Sequence, residues 1–309
     1  MITIFKSADH GLETLDAITP GAWIKVVDPT PQEIEQLVEW GIAHDYISYS
    51  LDQDELARVE RDEGDTFILI RVPMRQPESD VPYITAPLGM VIKEDVVVTI
   101  SKYDDDIFKV LENGKYRLLR TGKRYRFVLY IFLETATRYL GQLREINRIT
   151  ENLEDQLQAS TRNREVLELL KYQKSLTYFA TALRSNEVMM ERVERSRLFI
   201  TFEEDRELLD DVLTENQQAI QMTSIATELL SAMMDAFASI ISNNLNAVMK
   251  VLAALTIIVA LPGTVAAFFG MNLAVPLSSS SGWSFLVVVG ISVALTAIAA
   301  VVFYRRDWF

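Results

Sequence analysis

The sequence predicts an α+β cytoplasmic domain with long helices, followed by a two-helix transmembrane hairpin. Three observations lead to this prediction. Residues 1–122 contain short runs of β-branched and aromatic residues between turn-forming residues. Glycine and proline then become rare, which favours long helices. Residues 251–304 contain no Asp, Glu, Lys, Arg or His, over a length that exceeds one membrane span.

Residues 1–122 form the predicted α/β domain. Its strand-like segments are Ile2–Lys6, Trp23–Asp28, Thr66–Met74, Ala86–Ile92 and Val96–Ser101. The charged residues 93–95 separate the last two segments and predict a hairpin turn. A helix is expected to begin at Pro31, because proline suits a first helical turn, and to end near Trp40.

Two long helices are predicted at residues 124–160 and 163–197, within a segment, 123–200, whose only glycine is Gly141. Both helices have charged faces, and we expect them to pack as an antiparallel pair.

A third helix is predicted from a run without glycine or proline that extends from Glu203 to Leu261. As a single helix, this run would be about 90 Å long at about 1.5 Å per residue. We therefore expect a cytoplasmic stalk helix, residues 201–250, that continues directly into the membrane.

The uncharged block divides into two spans, because one crossing of about 30 Å of hydrocarbon needs only about 20 apolar residues. The predicted segments are a first transmembrane helix at 251–272, an extracytoplasmic loop at 273–282 and a second transmembrane helix at 283–304. Pro276 and a run of serines favour the loop. Trp283 and Tyr304 bracket the second span as interfacial aromatic residues do. A buried hairpin in a soluble protein is the alternative.

Flanking charges predict the orientation of the hairpin. Lys250 precedes the first span, Arg305 and Arg306 follow the second, and the loop carries no charge. Because basic flanks stay cytoplasmic, both termini and the basic tail, residues 305–309, are expected in the cytoplasm of a multi-pass protein of the cell membrane. The first residues show no apolar run with a basic flank, so no secretion signal is expected.

The charge balance restricts the partners. The net charge is −13, and residues 1–250 alone carry −14, so nucleic-acid binding is not expected. The chain has no cysteine and only two histidines, His10 and His44, which disfavours a structural zinc site and leaves oxygen ligands of the kind that suit Mg²⁺. We expect no prosthetic group. The sequence contains no Walker A motif, and no nucleophile–base pairing stands out. We therefore do not expect an enzyme.

One line of the third helix is polar or small at nearly every position. At alternating steps of four and three it reads Asp235, Ser239, Ser242, Asn246, Met249, Ala253, Thr256, Ala260 and Thr264, and we call it the polar stripe. Small residues also permit close helix packing in membranes, which is the alternative for the two alanines. A water-filled axis lined by several copies of the helix explains the whole stripe, including Asp235 and Asn246, and requires a symmetric homo-oligomer.

Three motifs resemble the CorA family of magnesium transport proteins. Gly270-Met271-Asn272 follows the first span, as the Gly-Met-Asn signature of that family does. Residues 243–250 resemble the family's segment at the membrane entrance, and residues 305–309 resemble its basic, tryptophan-containing tail. The motifs that resemble the family lie within roughly residues 235–309. Residues 1–234 resemble it in layout, as an α/β domain followed by long helices.

The resemblance implies a funnel-shaped homopentamer in which Gly270, Met271 and Asn272 form the outer entrance. Asn246 and Asp235 match pore-lining residues of the family. The family also senses intracellular magnesium through acidic residues between neighbouring cytoplasmic domains. The corresponding candidates for a regulatory metal site are Asp210 and Asp211, with partners among Asp52, Asp54 and Glu55, although a solvated acidic face is the alternative. Unlike many family members, the chain has no carboxylate in the loop after the signature.

The sequence therefore predicts a channel for divalent cations in the lipid bilayer, with Mg²⁺ influx controlled by intracellular divalent cations. The first alternative is a zinc, cobalt or nickel transporter of the same superfamily, with or without coupling of transport to protons. A membrane-anchored sensor or scaffold without ion flux is the second, but it does not explain the polar stripe.

Overall fold

The computed structural model describes residues 1–8, 11–62, 64–76, 79–116, 119–159, 163–271, 282–306 and 308. Two compact units divide the chain, residues 1–234 and residues 235–309. The first unit holds the sheet and most helices. The second holds the candidate membrane spans.

Seven strands form one mixed sheet in the described part of the first unit. They are β1 (Ile2–Ala8), β2 (Gly11–Leu15), β3 (Trp23–Val27), β4 (Arg58–Asp62), β5 (Asp65–Arg75), β6 (Tyr83–Ile92) and β7 (Val97–Ser101). Their order across the sheet is β2-β1-β3-β7-β6-β5-β4. Every neighbouring pair is antiparallel except β3 and β7, which are parallel. The hairpin predicted at residues 93–95 is confirmed, because β6 and β7 pair with Ile92 opposite Val97.

The central strands are buried on both faces. Along β5, Phe67 and Leu69 belong to one hydrophobic cluster, whereas Ile68 and Ile70 belong to the other. This alternation follows from the two-residue period of a strand and explains why β5 reads as a continuous apolar run.

Two short helices cover the first face of the sheet, α1 (Pro31–Glu39) and α2 (His44–Leu51). Helix α1 begins where the sequence predicts. Thr30 accepts a hydrogen bond from the Glu33 backbone, and the Glu33 carboxylate accepts one from the Thr30 backbone, which completes a capping box. Helix α2 packs so closely on β6 that a Cβ added to Gly89 would lie 1.7 Å from the Ser50 hydroxyl oxygen.

Three helices cover the second face, α3 (Asp106–Glu112), α4 (Arg124–Ala159) and α5 (Asn163–Ser196). Trp23 is fully buried there, with its ring 5.1 Å from that of Phe127 and 5.9 Å from that of Phe108. The structure confirms the two long helices that the sequence predicts, and they contact each other.

Buried polar contacts connect β5 to these helices. Arg71 lies beyond the short strand β4, so its backbone has no partner on that side of the sheet. Asn186 of α5 supplies both bonds: its carbonyl oxygen accepts from the Arg71 N–H at 2.9 Å, and its amide donates to the Arg71 carbonyl at 2.9 Å. Tyr139 of α4 donates to the same carbonyl at 3.0 Å. At Arg71, the backbone groups on the open edge of β5 are therefore hydrogen-bonded by side chains.

Helix α6 (Glu203–Phe269) starts in the first unit and ends in the second, and α7 (Gly282–Arg305) lies in the second. Helix α6 continues through Pro262, which lies inside the first transmembrane helix predicted at 251–272. Most of the loop predicted at 273–282 lies outside the described residues.

The sequence does not predict four short elements of the first unit, namely β2, β4, α2 and α3. The strands β2 (GLETL) and β4 (RVERD) form the two edges of the sheet, and both are polar. An edge strand without an alternating apolar pattern gives no hydrophobic signal, and charges on an edge discourage further pairing.

Candidate functional site

The second unit contains two helical segments that are long and apolar enough to cross a membrane. They are the C-terminal part of α6 and the helix α7, and the apolar windows of both are almost entirely exposed in a single chain. An apolar surface of this extent needs cover, by lipid or by protein. The structure therefore agrees with the two predicted spans.

All nine side chains of the polar stripe are exposed in the second unit. At about 100° per residue along an α-helix, the nine positions lie within about 60° of one direction. The stripe is thus one continuous face of α6 that runs from Asp235 to Thr264.

A different face of α6 is turned toward α7. Pro262, Val265 and Ala266 line a groove of 530 Å³ together with residues of α7 such as Val289 and Thr296. These three positions lie more than about 100° around the helix from the stripe. The second span therefore leaves the stripe uncovered, which is what a face needs in order to line an axis between copies of the chain.

The two threonines of the stripe satisfy their own donors. The Thr256 hydroxyl donates to the Leu252 carbonyl at 2.8 Å, and the Thr264 hydroxyl donates to the Ala260 carbonyl at 3.0 Å. A hydroxyl that donates backward along its helix still has lone pairs on its oxygen. Both threonines can therefore present acceptor oxygens to a hydrated cation.

Asp235 and Asn246 have no such internal partner. Within the described part of the chain, neither side chain makes a hydrogen bond or an ion pair. Polar groups in this situation are costly unless water, an ion or another chain contacts them. Their oxygens are the ligand type that Mg²⁺ and its hydration shell prefer.

The first two signature residues, Gly270 and Met271, follow directly after α6. The Gly270 N–H donates to the Ala266 carbonyl at 2.9 Å, and a Cβ at Gly270 would approach the same oxygen to 3.1 Å. Met271 is 48% exposed. Asn272 lies outside the described residues, so its part in an entrance stays a prediction.

The predicted regulatory residues do not form a metal site within one chain. Asp52, Asp54, Asp210 and Asp211 are exposed, and the described residues contain no cluster of three or more histidine or acidic side chains that could hold a metal ion. Glu55 forms an ion pair with Arg58. A regulatory site built from these residues would require a second copy.

The sequence does not predict two buried ionic groups in the first unit. Arg126, in the first turn of α4, pairs with Asp205 at the start of α6. Burial raises the pKa of the Asp105 carboxyl, although the Ile107 N–H and Arg138 act in the opposite direction. For the Arg126–Asp205 pair, the only sequence signal is that α4 begins with basic residues and α6 begins with acidic ones.

A buried carboxylate, Glu134, belongs to the same region of the sheet face. It accepts hydrogen bonds from Lys115 at 2.7 Å and from the Tyr116 hydroxyl at 2.8 Å. Burial, together with this bond to Glu134, raises the pKa of the Tyr116 hydroxyl. These groups stabilise the first unit and lie outside the polar stripe.

Comparison with known proteins identifies the family. The profile of the family described as CorA-like Mg²⁺ transporter protein matches residues 21–305. The cobalt/magnesium transport protein CorA of Methanocaldococcus jannaschii is 31% identical over 293 residues, which cover 93% of this chain and 90% of the relative.

Solved structures show the same fold. The complete structure of the CorA magnesium transporter from Methanocaldococcus jannaschii superimposes with a TM-score of 0.85 at 28% identity, over 100% of this chain and 99% of that one. The full-length CmaX protein gives a TM-score of 0.70 at 15% identity, over 100% and 97%. The ZntB cytoplasmic domain from Vibrio parahaemolyticus gives 0.60 at 10% identity, over 79% and 97%. The last two are similar in fold alone.

The profile match over most of the chain and the full-length relative confirm the resemblance that the signature residues suggest. They also agree with the two candidate spans at the C-terminal end. The chain belongs to the family of CorA-like Mg²⁺ transporter proteins.

Proposed function

We propose that this chain is one subunit of a homopentameric channel that conducts Mg²⁺ into the cytoplasm, with the polar stripe of each α6 lining a central pore. One observation supports this most strongly: the stripe is continuous, exposed and turned away from α7. Family membership and the name of the Methanocaldococcus jannaschii relative support Mg²⁺ as the transported ion.

The organisation along the chain follows from this proposal. Residues 1–122 and the helix pair at 123–200 form the cytoplasmic part, and residues 201–250 form the stalk. Spans at 251–272 and 283–304 cross the bilayer, with loop 273–282 outside. The basic flanks, Lys250 and Arg305–Arg306, support cytoplasmic termini and the tail 305–309 on the same side.

The pore lining suits a hydrated cation. Its oxygens come from uncharged hydroxyl and amide groups, with a single carboxylate, Asp235, in each chain. Mg²⁺ dehydrates reluctantly and usually keeps several waters, so ligands that accept hydrogen bonds from those waters are favourable. A ring of five Asp235 carboxylates would attract the ion electrostatically.

At the outer entrance, the proposal assigns Gly270, Met271 and Asn272 to the first contact with the ion. No carboxylate follows Asn272 before the second span. Capture of the ion would then depend on the signature residues rather than on an acidic loop. The membrane potential supplies the driving force, since a divalent ion that crosses about 100 mV releases about 4.6 kcal/mol.

Regulation would act at the boundary between neighbouring subunits. Asp210 and Asp211 of one copy would share Mg²⁺ with Asp52, Asp54 or Glu55 of the next. Bound ions would neutralise these carboxylates and favour the closed state, and their loss would favour opening by repulsion. The exposure of the four aspartates supports this assignment.

The test is Mg²⁺ uptake into proteoliposomes by the variant Asn246→Leu. Five leucines would replace a ring of hydrogen-bonding groups worth about 1 kcal/mol each, so uptake should fall by at least about 100-fold. The control is Asn244→Leu on the same helix, since position 244 lies about 160° around α6 from position 246. Asn244 is also exposed, so solubility and insertion are matched. Equal uptake by both variants would contradict the proposal.

Cobalt is the second candidate substrate, because the relative from Methanocaldococcus jannaschii is named for cobalt as well as magnesium. Competition uptake with Mg²⁺, Co²⁺ and Zn²⁺ at a clamped pH gradient distinguishes the substrates. Inhibition of Mg²⁺ uptake by equimolar Co²⁺, with transport of Co²⁺ itself, would support a shared pathway.

A further inference from the structure

The groove between α6 and α7 is apolar along its whole length. Its volume is 530 Å³, and the α7 residues that line it recur every three or four positions from Phe285 to Ala300, as one face of a helix does. The hydroxyl of Thr296 donates to the Ser292 carbonyl at 2.8 Å and so needs no acceptor in the groove. At about 1.5 Å per residue, this face extends about 22 Å. One leaflet of hydrocarbon is about 15 Å thick, so the groove can hold an extended acyl chain.

An aromatic stack lies at one end of the groove. Phe303 is three positions after Ala300 and continues the groove face of α7. Trp308 folds back against Phe303: its backbone N–H donates to the Phe303 carbonyl at 3.1 Å, and the two rings stack with their centroids 5.1 Å apart. Because tryptophan favours the membrane–water interface, the stack marks the level at which the groove leaves the hydrocarbon.

Two exposed arginines accompany the stack. Arg305 and Arg306 lie between its two aromatic residues in the chain, and within the described residues neither side chain makes an ion pair. The indole N–H of Trp308 also has no hydrogen-bond acceptor in that part of the chain. A guanidinium group can donate two parallel hydrogen bonds to one phosphate. The end of an apolar groove therefore carries three free groups that favour an anion.

This combination indicates the chemistry of the occupant. An apolar helix of a second copy would cover the groove, but it would supply no negative charge at the arginines. A phospholipid has both parts in the required order, because its phosphate lies at the interface and its acyl chains lie in the hydrocarbon. The groove residues of α6 lie more than about 100° around that helix from the polar stripe, so the groove opens away from the axis that the stripe would line.

We propose that the groove binds one anionic phospholipid from the leaflet at the C-terminal end of α7. Arg305, Arg306 and the Trp308 indole N–H hold the phosphate, and one acyl chain lies along the groove between the two spans. Such a lipid would fill the space that α6 and α7 leave between them. The site requires that the hairpin crosses the bilayer, and it does not depend on which residues line the pore.

The test is quenching of tryptophan fluorescence in proteoliposomes by brominated phosphatidylglycerol and by brominated phosphatidylcholine with identical acyl chains. The starting protein carries Trp283→Phe, which leaves Trp308 as the only tryptophan of the second unit. We expect phosphatidylglycerol to be preferred by at least about fivefold, which corresponds to the attraction of one basic side chain for an anionic lipid surface. High salt should lower this preference.

A matched pair of charge variants separates the site from general surface charge. Arg306→Gln should reduce the preference for phosphatidylglycerol by about fivefold. Lys250→Gln removes the same charge from the flank of the other span and should leave the preference at Trp308 unchanged. Lys250 is exposed and lies about 110° around α6 from the mean direction of the groove residues. An equal loss in both variants would show general surface charge alone and would overturn the proposal.

A second pair of variants tests the groove itself. Ala300→Phe would place a ring in the groove next to the aromatic stack, whereas Ala294→Phe places the same ring about 120° around α7, outside the groove lining. Quenching of Trp308 by brominated phosphatidylglycerol should fall only in Ala300→Phe. Equal quenching by the two lipids in the starting protein, or unchanged quenching in Ala300→Phe, would overturn the proposal. Absence of quenching by either lipid would show that protein covers the groove, which also overturns it.

Discussion

The two units of the chain differ in whether key polar side chains are buried and hydrogen-bonded or exposed without a partner in the same chain. In the first unit, Asn186 is fully buried and satisfies both backbone groups of Arg71. In the second unit, Asp235 and Asn246 are exposed and make no side-chain hydrogen bond within the described residues. The first unit thus supplies partners for the buried backbone of Arg71 within one chain. The second leaves a polar face for water, ions and further copies of the chain.

This contrast separates stability from transport. Changes to the buried contacts of the first unit should lower the melting temperature and leave uptake per folded channel unchanged. The stripe should behave in the opposite way, because its side chains contribute little to the fold of a single chain. Three changes in the first unit test this separation, in order of decreasing effect.

The largest effect is expected from Asn186→Leu. The change removes both hydrogen bonds between Asn186 and the Arg71 backbone, so the buried N–H loses its partner while the carbonyl keeps only the bond from Tyr139, at a cost of about 2–4 kcal/mol. Thermal unfolding of the full-length protein in detergent measures the loss. Uptake per folded channel should equal that of the parent. The control Asn147→Leu changes a less buried asparagine of α4 and should shift the melting temperature far less.

Gly89→Ala should have an intermediate effect. The new methyl group would lie 1.7 Å from the Ser50 hydroxyl oxygen and 2.7 Å from the Ser50 Cβ, so α2 must move away from β6. Overpacking of this kind costs about 1–3 kcal/mol. The double variant Gly89→Ala with Ser50→Gly removes the obstructing atoms and should recover part of the loss. A single variant as stable as the parent would contradict the close packing of α2 on β6.

The smallest effect is expected from Asp105→Asn, and it depends on pH. Because burial raises the pKa of this carboxyl, the folded state favours the protonated form. Stability is therefore present below the unfolded pKa, near 3.9, and is lost as pH rises through the folded value. Asparagine stays neutral and can still accept the bond from Ile107.

Asp105→Asn should consequently be more stable than the parent at pH 7. A gain of 1 kcal/mol corresponds to about 2–4 °C in a chain of this size. The advantage should shrink as the pH falls through the raised pKa of the folded parent, because its carboxyl then becomes protonated too. Melting temperatures above and below that pKa measure it. A constant difference between parent and variant across this range would show that ionisation of Asp105 has no part in it.

The long elements of the fold were predictable, and the short ones were not. The sequence places α4 and α5 to within one residue of their ends, because the absence of proline and near absence of glycine leaves no other local structure. Strands β2 and β4 are polar edge strands, and their position follows from pairing with β1 and β5 rather than from their own pattern. Tertiary context determines such elements.

The same distinction applies to the candidate site. Spacing alone identifies the polar stripe as one line on a helix. Its exposure on the side away from α7 depends on how Pro262, Val265 and Ala266 meet the second span, which no local pattern encodes. The buried Arg126–Asp205 pair joins residues 79 positions apart, so sequence spacing could not predict it either.

The most direct test of the central claim is cysteine accessibility along α6 in proteoliposomes. The chain contains no cysteine, so each single substitution provides the only reactive thiol. Stripe positions are tested with Asn246→Cys, Ala253→Cys and Ala260→Cys, and the other faces with Ala254→Cys, Ile258→Cys and Val265→Cys. A charged, membrane-impermeant thiol reagent should modify the stripe cysteines, block uptake and leave the other set unmodified. Modification of the second set instead, or equal modification of both, would contradict a pore lined by the polar stripe.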